Sequence, residues 1–238
     1  MLYYILSIVT GALIAAMVAI NGGLTAAYGV YIATVIIHAV GLVFISVVCA
    51  VRREKPLARR GLPWWLYLGG VIGVGTTVFN NLAFGRISLS AIVALGLIGQ
   101  AATSLLIDQF GLMGMQRNTF RPAKLSGLLC MLAGAVYMLW GANFAWMPVV
   151  VSLLAGVSVV ISRTVNARLA EKSSDYVSTW FNYIVGLCFG LVVLVLLGRG
   201  EFATAAPTLN PLWIYTGGLV GVLVVLLSNS TVARVSGF

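Results

Sequence analysis

Residues 63–88 of this chain recur, at lower fidelity, as residues 211–236. Pro63, Trp65, Tyr67, Gly69, Gly70, Gly73, Val74, Asn81, Arg86 and Ser88 reappear 148 positions on as Pro211, Trp213, Tyr215, Gly217, Gly218, Gly221, Val222, Asn229, Arg234 and Ser236. That is ten identities in 26 aligned positions. A fainter echo at an offset of 145 pairs Gly11, Asn21, Leu24 and Gly41 with Gly156, Asn166, Leu169 and Gly186. A duplicated module restricts the fold more than any single motif, since each copy must repeat the same local structure.

The module belongs in lipid. Apolar residues make up 61% of the chain and charged residues 8%, against roughly 25% charged in a soluble domain. Polar groups are too few to cover a water-exposed surface, so the chain reads as an all-α polytopic membrane protein. Its net charge of +9 sits in short loops between apolar runs, which points to topology rather than nucleic acid. Cys49, Cys130 and Cys188 fall inside apolar spans without paired spacing and are expected to be small buried hydrophobes. The first apolar run lacks a basic n-region, and its Gly11–Leu24 stretch has a copy at Gly156–Leu169, so it is expected to be a structural helix.

With about 20 apolar residues needed per crossing, eight spans follow: approximately 3–21, 29–51, 64–84, 88–110, 125–143, 146–165, 177–197 and 212–234. The charges then orient them. Arg52, Arg53, Lys55, Arg59, Arg60, Arg117, Arg121, Lys124, Arg163, Arg168, Lys172 and Arg234 fall on one side, twelve of the fourteen basic residues, with Arg86 and Arg199 on the other. The positive-inside rule makes the first side cytoplasmic, and the N-terminus with it. A five-helix module crosses an odd number of times, so its tandem copy is inverted. The expected organisation is a first repeat over 1–145 and a second, inverted repeat over 146–238. Phe238 aligns with Ser90, so the second copy lacks its last two helices. Truncation of the chain is the expectation here, since a cavity wall open to lipid is costly. The alternative is a homodimer or partner that completes the repeat.

Polar residues within a span are functional candidates by default. Gly96, Gln100, Ser104 and Asp108 step by four along span four and form one polar stripe. Asp108 could bind a cation or carry a coupling proton, or it could cap its helix and pair with Arg117 or Arg121. His38, the single histidine, suits proton coupling, although a hydrogen bond to a neighbouring carbonyl would also account for it. Its counterpart is Tyr183. Asn21 and Asn166 stand at the expected ends of spans one and six, where Asn21 before Gly22-Gly23 could cap the helix and free backbone groups toward a cavity. Asn81 and Asn229 form a second pair, with a cavity or capping role. Arg86 and Arg234 could gate opposite faces, or simply snorkel to headgroups. Gly69 and Gly73, with Gly217 and Gly221, put small residues on one face of spans three and eight, which are expected to approach each other. Trp64, Trp65, Tyr67, Trp213 and Tyr215 suit an interfacial aromatic belt.

The Asn21 turn, Pro63-Trp64-Trp65, Gly69-Gly70-Val71-Ile72-Gly73, Asn81 with Arg86-Ile87-Ser88, and Gly99-Gln100 leading to Leu105-Leu106-Ile107-Asp108-Gln109-Phe110-Gly111 occur in an order that resembles the drug/metabolite transporter superfamily. Within it the chain is similar to the YdcZ-type group of inner-membrane exporters, over 1–145 and more loosely 150–238. That resemblance implies a bacterial inner-membrane location, export, and either single five-helix modules that dimerise or fused ten-helix forms. It implies no particular substrate. The first helix departs from small multidrug exporters in lacking an embedded glutamate.

Three functions remain in play. The first is a secondary transporter of small metabolites or drugs by alternating access, with no cofactor and no metal. No phosphate-binding glycine loop is present to couple ATP. The second is an integral-membrane enzyme, which one histidine and five acids serve poorly. The third is a non-transporting assembly or scaffold subunit.

Overall fold

In the computed structural model, described over residues 2–58, 61–115, 117, 122–140, 146–204 and 211–232, the secondary structure is helical throughout. The helices are α1 Leu2–Tyr28, α2 Val30–Arg52, α3 Gly69–Ala83, α4 Leu89–Phe110, α5 Pro122–Leu139, α6 Trp146–Lys172, α7 Asp175–Leu197, the single turn α8 Glu201–Thr204, and α9 Gly217–Val232. Short 3₁₀ turns at Trp64–Tyr67 and Leu212–Thr216 lead into α3 and α9. Each follows a proline, Pro63 or Pro211, whose fixed φ suits a helix start.

Among the described residues, seven segments are long and apolar enough to cross a membrane: Ile8–Tyr28, Val30–Arg52, Trp64–Ala83, Leu89–Phe110, Trp146–Lys172, Asp175–Leu197 and Leu212–Ser230. The expected fifth span is present as a shorter apolar helix, Ser126–Leu139, which packs on α4. Outward faces are apolar, as lipid requires. Val43, Val47, Leu106 and Leu196 are each more than half exposed, an arrangement water would penalise by roughly 25 cal/mol per Å². Cys130 and Cys188 belong to that exterior, and only Cys49 is buried, which corrects the expectation for two of the three.

Two helix ends differ from expectation. α1 does not stop at Asn21 but continues through Gly22-Gly23 to Tyr28. Tertiary contact holds those glycines in the helix: Gly22 backs onto the Phe84 ring and Gly23 onto Ile214 and Trp213. Likewise α6 runs on past Asn166 to Lys172, because its stop signal is Ser173-Ser174-Asp175, where Ser174 Oγ accepts from Val177 N and caps α7. Neither asparagine caps a helix end.

At the opposite pole, Gly29 takes a left-handed φ of 88° between α1 and α2. The Glu201 carboxylate meets the exposed start of α2, accepting from Val30 N at 2.7 Å, Tyr31 N at 2.9 Å and Ile32 N at 3.0 Å. A carboxylate there satisfies orphan donors and opposes the helix dipole. Glu201→Gln is expected to lower stability by about 1 kcal/mol, seen as an earlier unfolding midpoint in detergent. An unchanged midpoint would show that the charge is dispensable.

Packing crosses between the two halves of the chain. α3 lies on α6 and α7, α9 lies on α1 and α2, α2 meets α7, and α4 lies along α6. The contacts come in matched sets. Gly69 sits against Asn166 Oδ1, and Gly217 against Asn21 Oδ1. Gly70 faces the α7 backbone at Asn182 and Gly186, while Gly218 faces the α2 backbone at Ile37 and Gly41. Asn81 Nδ2 donates to Val30 O and Thr34 Oγ1, both at 3.3 Å. Asn229 Nδ2 donates to Asp175 O and Thr179 Oγ1, both at 3.4 Å. Every residue in one set is separated from its mate in the other by 145 or 148 positions. The expected approach of α3 to α9 is not found. Their glycine faces are occupied by the helices of the other half.

Candidate functional site

A central cavity of about 110 Å³ lies among α1, α2, α3, α6, α7 and α9. Its lining is built of matched positions. At an offset of 145 stand Ile14 with Val159, Met17 with Ser162, Val18 with Arg163, Asn21 with Asn166, Ile37 with Asn182 and His38 with Tyr183. At an offset of 148 stand Gly73 with Gly221, Thr76 with Val224, Thr77 with Val225 and Asn80 with Ser228. Asn81 completes the wall without its mate Asn229.

The positions match but the chemistry does not. In three pairs the first half supplies an apolar group and the second a polar one: Met17 with Ser162, Val18 with Arg163, Ile37 with Asn182. Asn166 Nδ2 donates to Asn182 Oδ1 at 2.9 Å, and Ser178 Oγ donates to Asn166 O at 2.6 Å. Asn21, 7% exposed, has no such neighbour, and its Oδ1 lacks a hydrogen-bond partner. An orphaned acceptor this deep costs about 1–3 kcal/mol unless something else satisfies it. His38 Nδ1–H donates to Thr34 O at 2.8 Å, and the ring centroid lies 5.8 Å from that of Tyr183.

Beside this space a second cavity of about 350 Å³ opens between α4, α5 and α6. Gln100, Ser104 and Asp108 all line it, as the four-residue stripe predicts, and Asp108 is 4% exposed. Gly96 is not part of this wall. It receives α6, where a methyl on Gly156 would overlap Gly96 O. Arg117 Nε donates to Gln109 O at 3.0 Å, and Arg121 lies outside the described residues.

Arg163 joins the two spaces, lining both. Its Nη1 donates to Gln100 Oε1 at 3.2 Å. Counting it with the cytoplasmic loop was an error that followed from ending α6 too early. The signal lay in the sequence: between Arg163 and Lys172 no glycine or proline interrupts the helix, and the first turn chemistry is Ser173-Ser174. Asn182, Ser162 and Tyr183 were also overlooked as cavity residues. Arg86 is brought to neither space. It is exposed in the turn after α3, with Nη1 3.5 Å from Met147 Sδ. Arg234 lies outside the described residues. Of the aromatic belt, Trp64 is 75% and Trp213 55% exposed at helix starts. Tyr67 instead packs edge-on to Phe181, and the Tyr215 hydroxyl bonds to that of Tyr28.

Membrane-length helices packed around two internal cavities that share Arg163 in their walls define a polytopic membrane protein. The chain belongs to the family described as "Putative inner membrane exporter, YdcZ", which matches residues 2–137 and 147–237, nearly its whole length. It is thus a multi-pass inner-membrane protein of an exporter family, which favours transport over catalysis. Comparison with curated proteins and with solved structures gave no match.

Proposed function

We propose that the chain is a secondary active exporter that moves small metabolites or drugs by alternating access, with the central cavity as its site. The observation that carries this is the cavity wall itself: residues at matched offsets from the two halves face one space. Two inverted repeats, 1–145 and 146–238, would produce such a wall and would let two conformations of similar energy face opposite sides of the membrane. The two stretches of the family match, 2–137 and 147–237, part near the same boundary.

The gates in this reading are the polar clips. Asn81 ties α3 to the first turn of α2, and Asn229 ties α9 to the first turn of α7. Their bonds of 3.3–3.4 Å are long, and interhelical hydrogen bonds in membranes average about 0.6 kcal/mol. Either clip can therefore open without a large penalty. At about 110 Å³ the central space is below the ~300–1,000 Å³ of a small-molecule site, so the described conformation is contracted around it. Removing Arg163 from the loop tally leaves eleven basic residues against two, which still favours a cytoplasmic N-terminus.

The partners in this proposal are a small-molecule substrate, the lipid bilayer, and a second copy or other chain beside α1. Gly156 on α6 receives α4, whereas among the described residues nothing lies within 4 Å of a methyl added to its mate Gly11 on α1. A helix seated there would cover α1 as α4 covers α6. The test is flux in proteoliposomes under an imposed gradient of candidate solutes. Accumulation that Asp108→Asn or Asn21→Leu diminishes supports the proposal. Uniformly absent flux would favour the scaffold role instead.

A further inference from the structure

Arg163 is a cation that the described fold leaves without a counter-charge. It lies nine residues before Lys172, the end of α6, or about 13 Å along the helix at ~1.5 Å per residue. The chain has five carboxylate side chains. Glu171 pairs with Arg168 at 2.7 Å, Glu201 caps α2, and Asp175 accepts from Ser230 Oγ at 2.7 Å. Glu54 follows the end of α2. Asp108 shares the larger cavity with Arg163, yet no ion pair within 4.0 Å joins the two. What the guanidinium holds is a neutral amide, Gln100 Oε1. At the matched position in the other half stands Val18, so nothing there balances it.

A partly buried cation within a membrane helix, paired only with a neutral dipole, is expensive and is retained where it serves a ligand. Here the guanidinium borders both cavities. Resting on the exporter reading, we propose that the substrate is a small organic anion, a carboxylate on an apolar body, with Arg163 supplying the fork that binds it. The geometry suits that chemistry. Guanidinium matches a carboxylate with two parallel hydrogen bonds, and Gln100 fixes the fork from one side. Leu97, Ala101, Met131 and Val160 line the same space and accept the apolar body. Asp108 stands two helical turns from Gln100 on α4, about 12 Å along the axis, away from the point where Gln100 holds the fork. A cation of the same shape would meet Arg163 as a like charge.

Benzoate, benzamide and benzamidinium share one shape and differ in charge, so their binding to the detergent-solubilised chain separates the possibilities. Benzoate is expected to bind best, and Arg163→Gln to weaken it at least tenfold while changing benzamide by less than twofold. Arg163→Lys, which keeps the charge but not the fork, is expected to fall between and guards against a misfolded glutamine variant. Preference for benzamidinium, equal binding of all three, no benzoate binding at millimolar concentration, or benzoate binding indifferent to Arg163→Gln would each overturn the inference. Flux keeps the two readings apart. A chain that carries benzamidinium across a vesicle but ignores benzoate is still an exporter, and only the anion is lost. Benzoate bound through Arg163 by a chain that moves no solute keeps the anion site and removes the exporter.

Discussion

Gly70→Ala and Gly218→Ala are each expected to destabilise the bundle by about 1–3 kcal/mol, the usual cost of overpacking. The added methyl on Gly70 would overlap Asn182 O and come within 2.7 Å of Gly186 N. On Gly218 it would overlap Ile37 O and come within 2.8 Å of Gly41 N. The obstructing atoms are backbone, which cannot rotate aside as a side chain can, so whole helices must separate. Gly75→Ala is the control. Its methyl would meet Ser158 Oγ at 3.8 Å and the Phe79 ring at 3.9 Å, ordinary contact distances. With no clash, the better helix propensity of alanine makes that change neutral or stabilising by up to about 1 kcal/mol. Thermal unfolding in detergent compares the three. Should all behave alike, the close crossings of α3 on α7 and α9 on α2 do not hold the fold together.

Asn21→Leu is expected to reduce solute flux at least tenfold while leaving stability near that of the parent chain. Asn166→Leu is expected to lose both. The two are mates by sequence, but their surroundings differ. Asn166 carries a hydrogen bond to Asn182 at 2.9 Å, so a leucine there strands a buried amide oxygen, at a cost of about 1–3 kcal/mol. Asn21 Oδ1 has no partner to strand, so a leucine there removes an unsatisfied group, and what is lost is whatever the solute gains by meeting it. Flux measured beside unfolding midpoints separates the two effects. Equal destabilisation by both variants would mean that the Asn21 amide is structural.

Much of the fold was legible because its signals are local. Apolar run length gave the spans, Pro63 and Pro211 marked where α3 and α9 begin, and the repeat indicated which positions would correspond. The spacing of Gln100, Ser104 and Asp108 placed them on one wall, and one wall is where they stand. The misses share a cause. Gly22-Gly23 looks like a helix end, and intrinsic propensity says so, but Phe84, Trp213 and Ile214 pack against those glycines and outweigh it. The glycine motifs of α3 and α9 announced a close helix crossing without naming the partner, since a small residue admits any backbone that reaches it. Ending α6 seven residues early then turned Arg163 from a cavity residue into a loop charge.

By itself, the sequence showed that residues 63–88 recur at 211–236, with a fainter echo at an offset of 145, and that recurrence ranked Asn21, Asn166, Asn81, Asn229, Arg86 and Arg234 above other polar residues. Periodicity and composition suffice for that, because they act along the chain. Only the tertiary structure decided that each half inserts its third helix between helices of the other, and that matched positions converge on one cavity. It alone also showed that Arg163 faces the same space as Val18, its mate. Which groups meet across a crossing depends on distances between segments some 145 residues apart in sequence, and no local propensity encodes those.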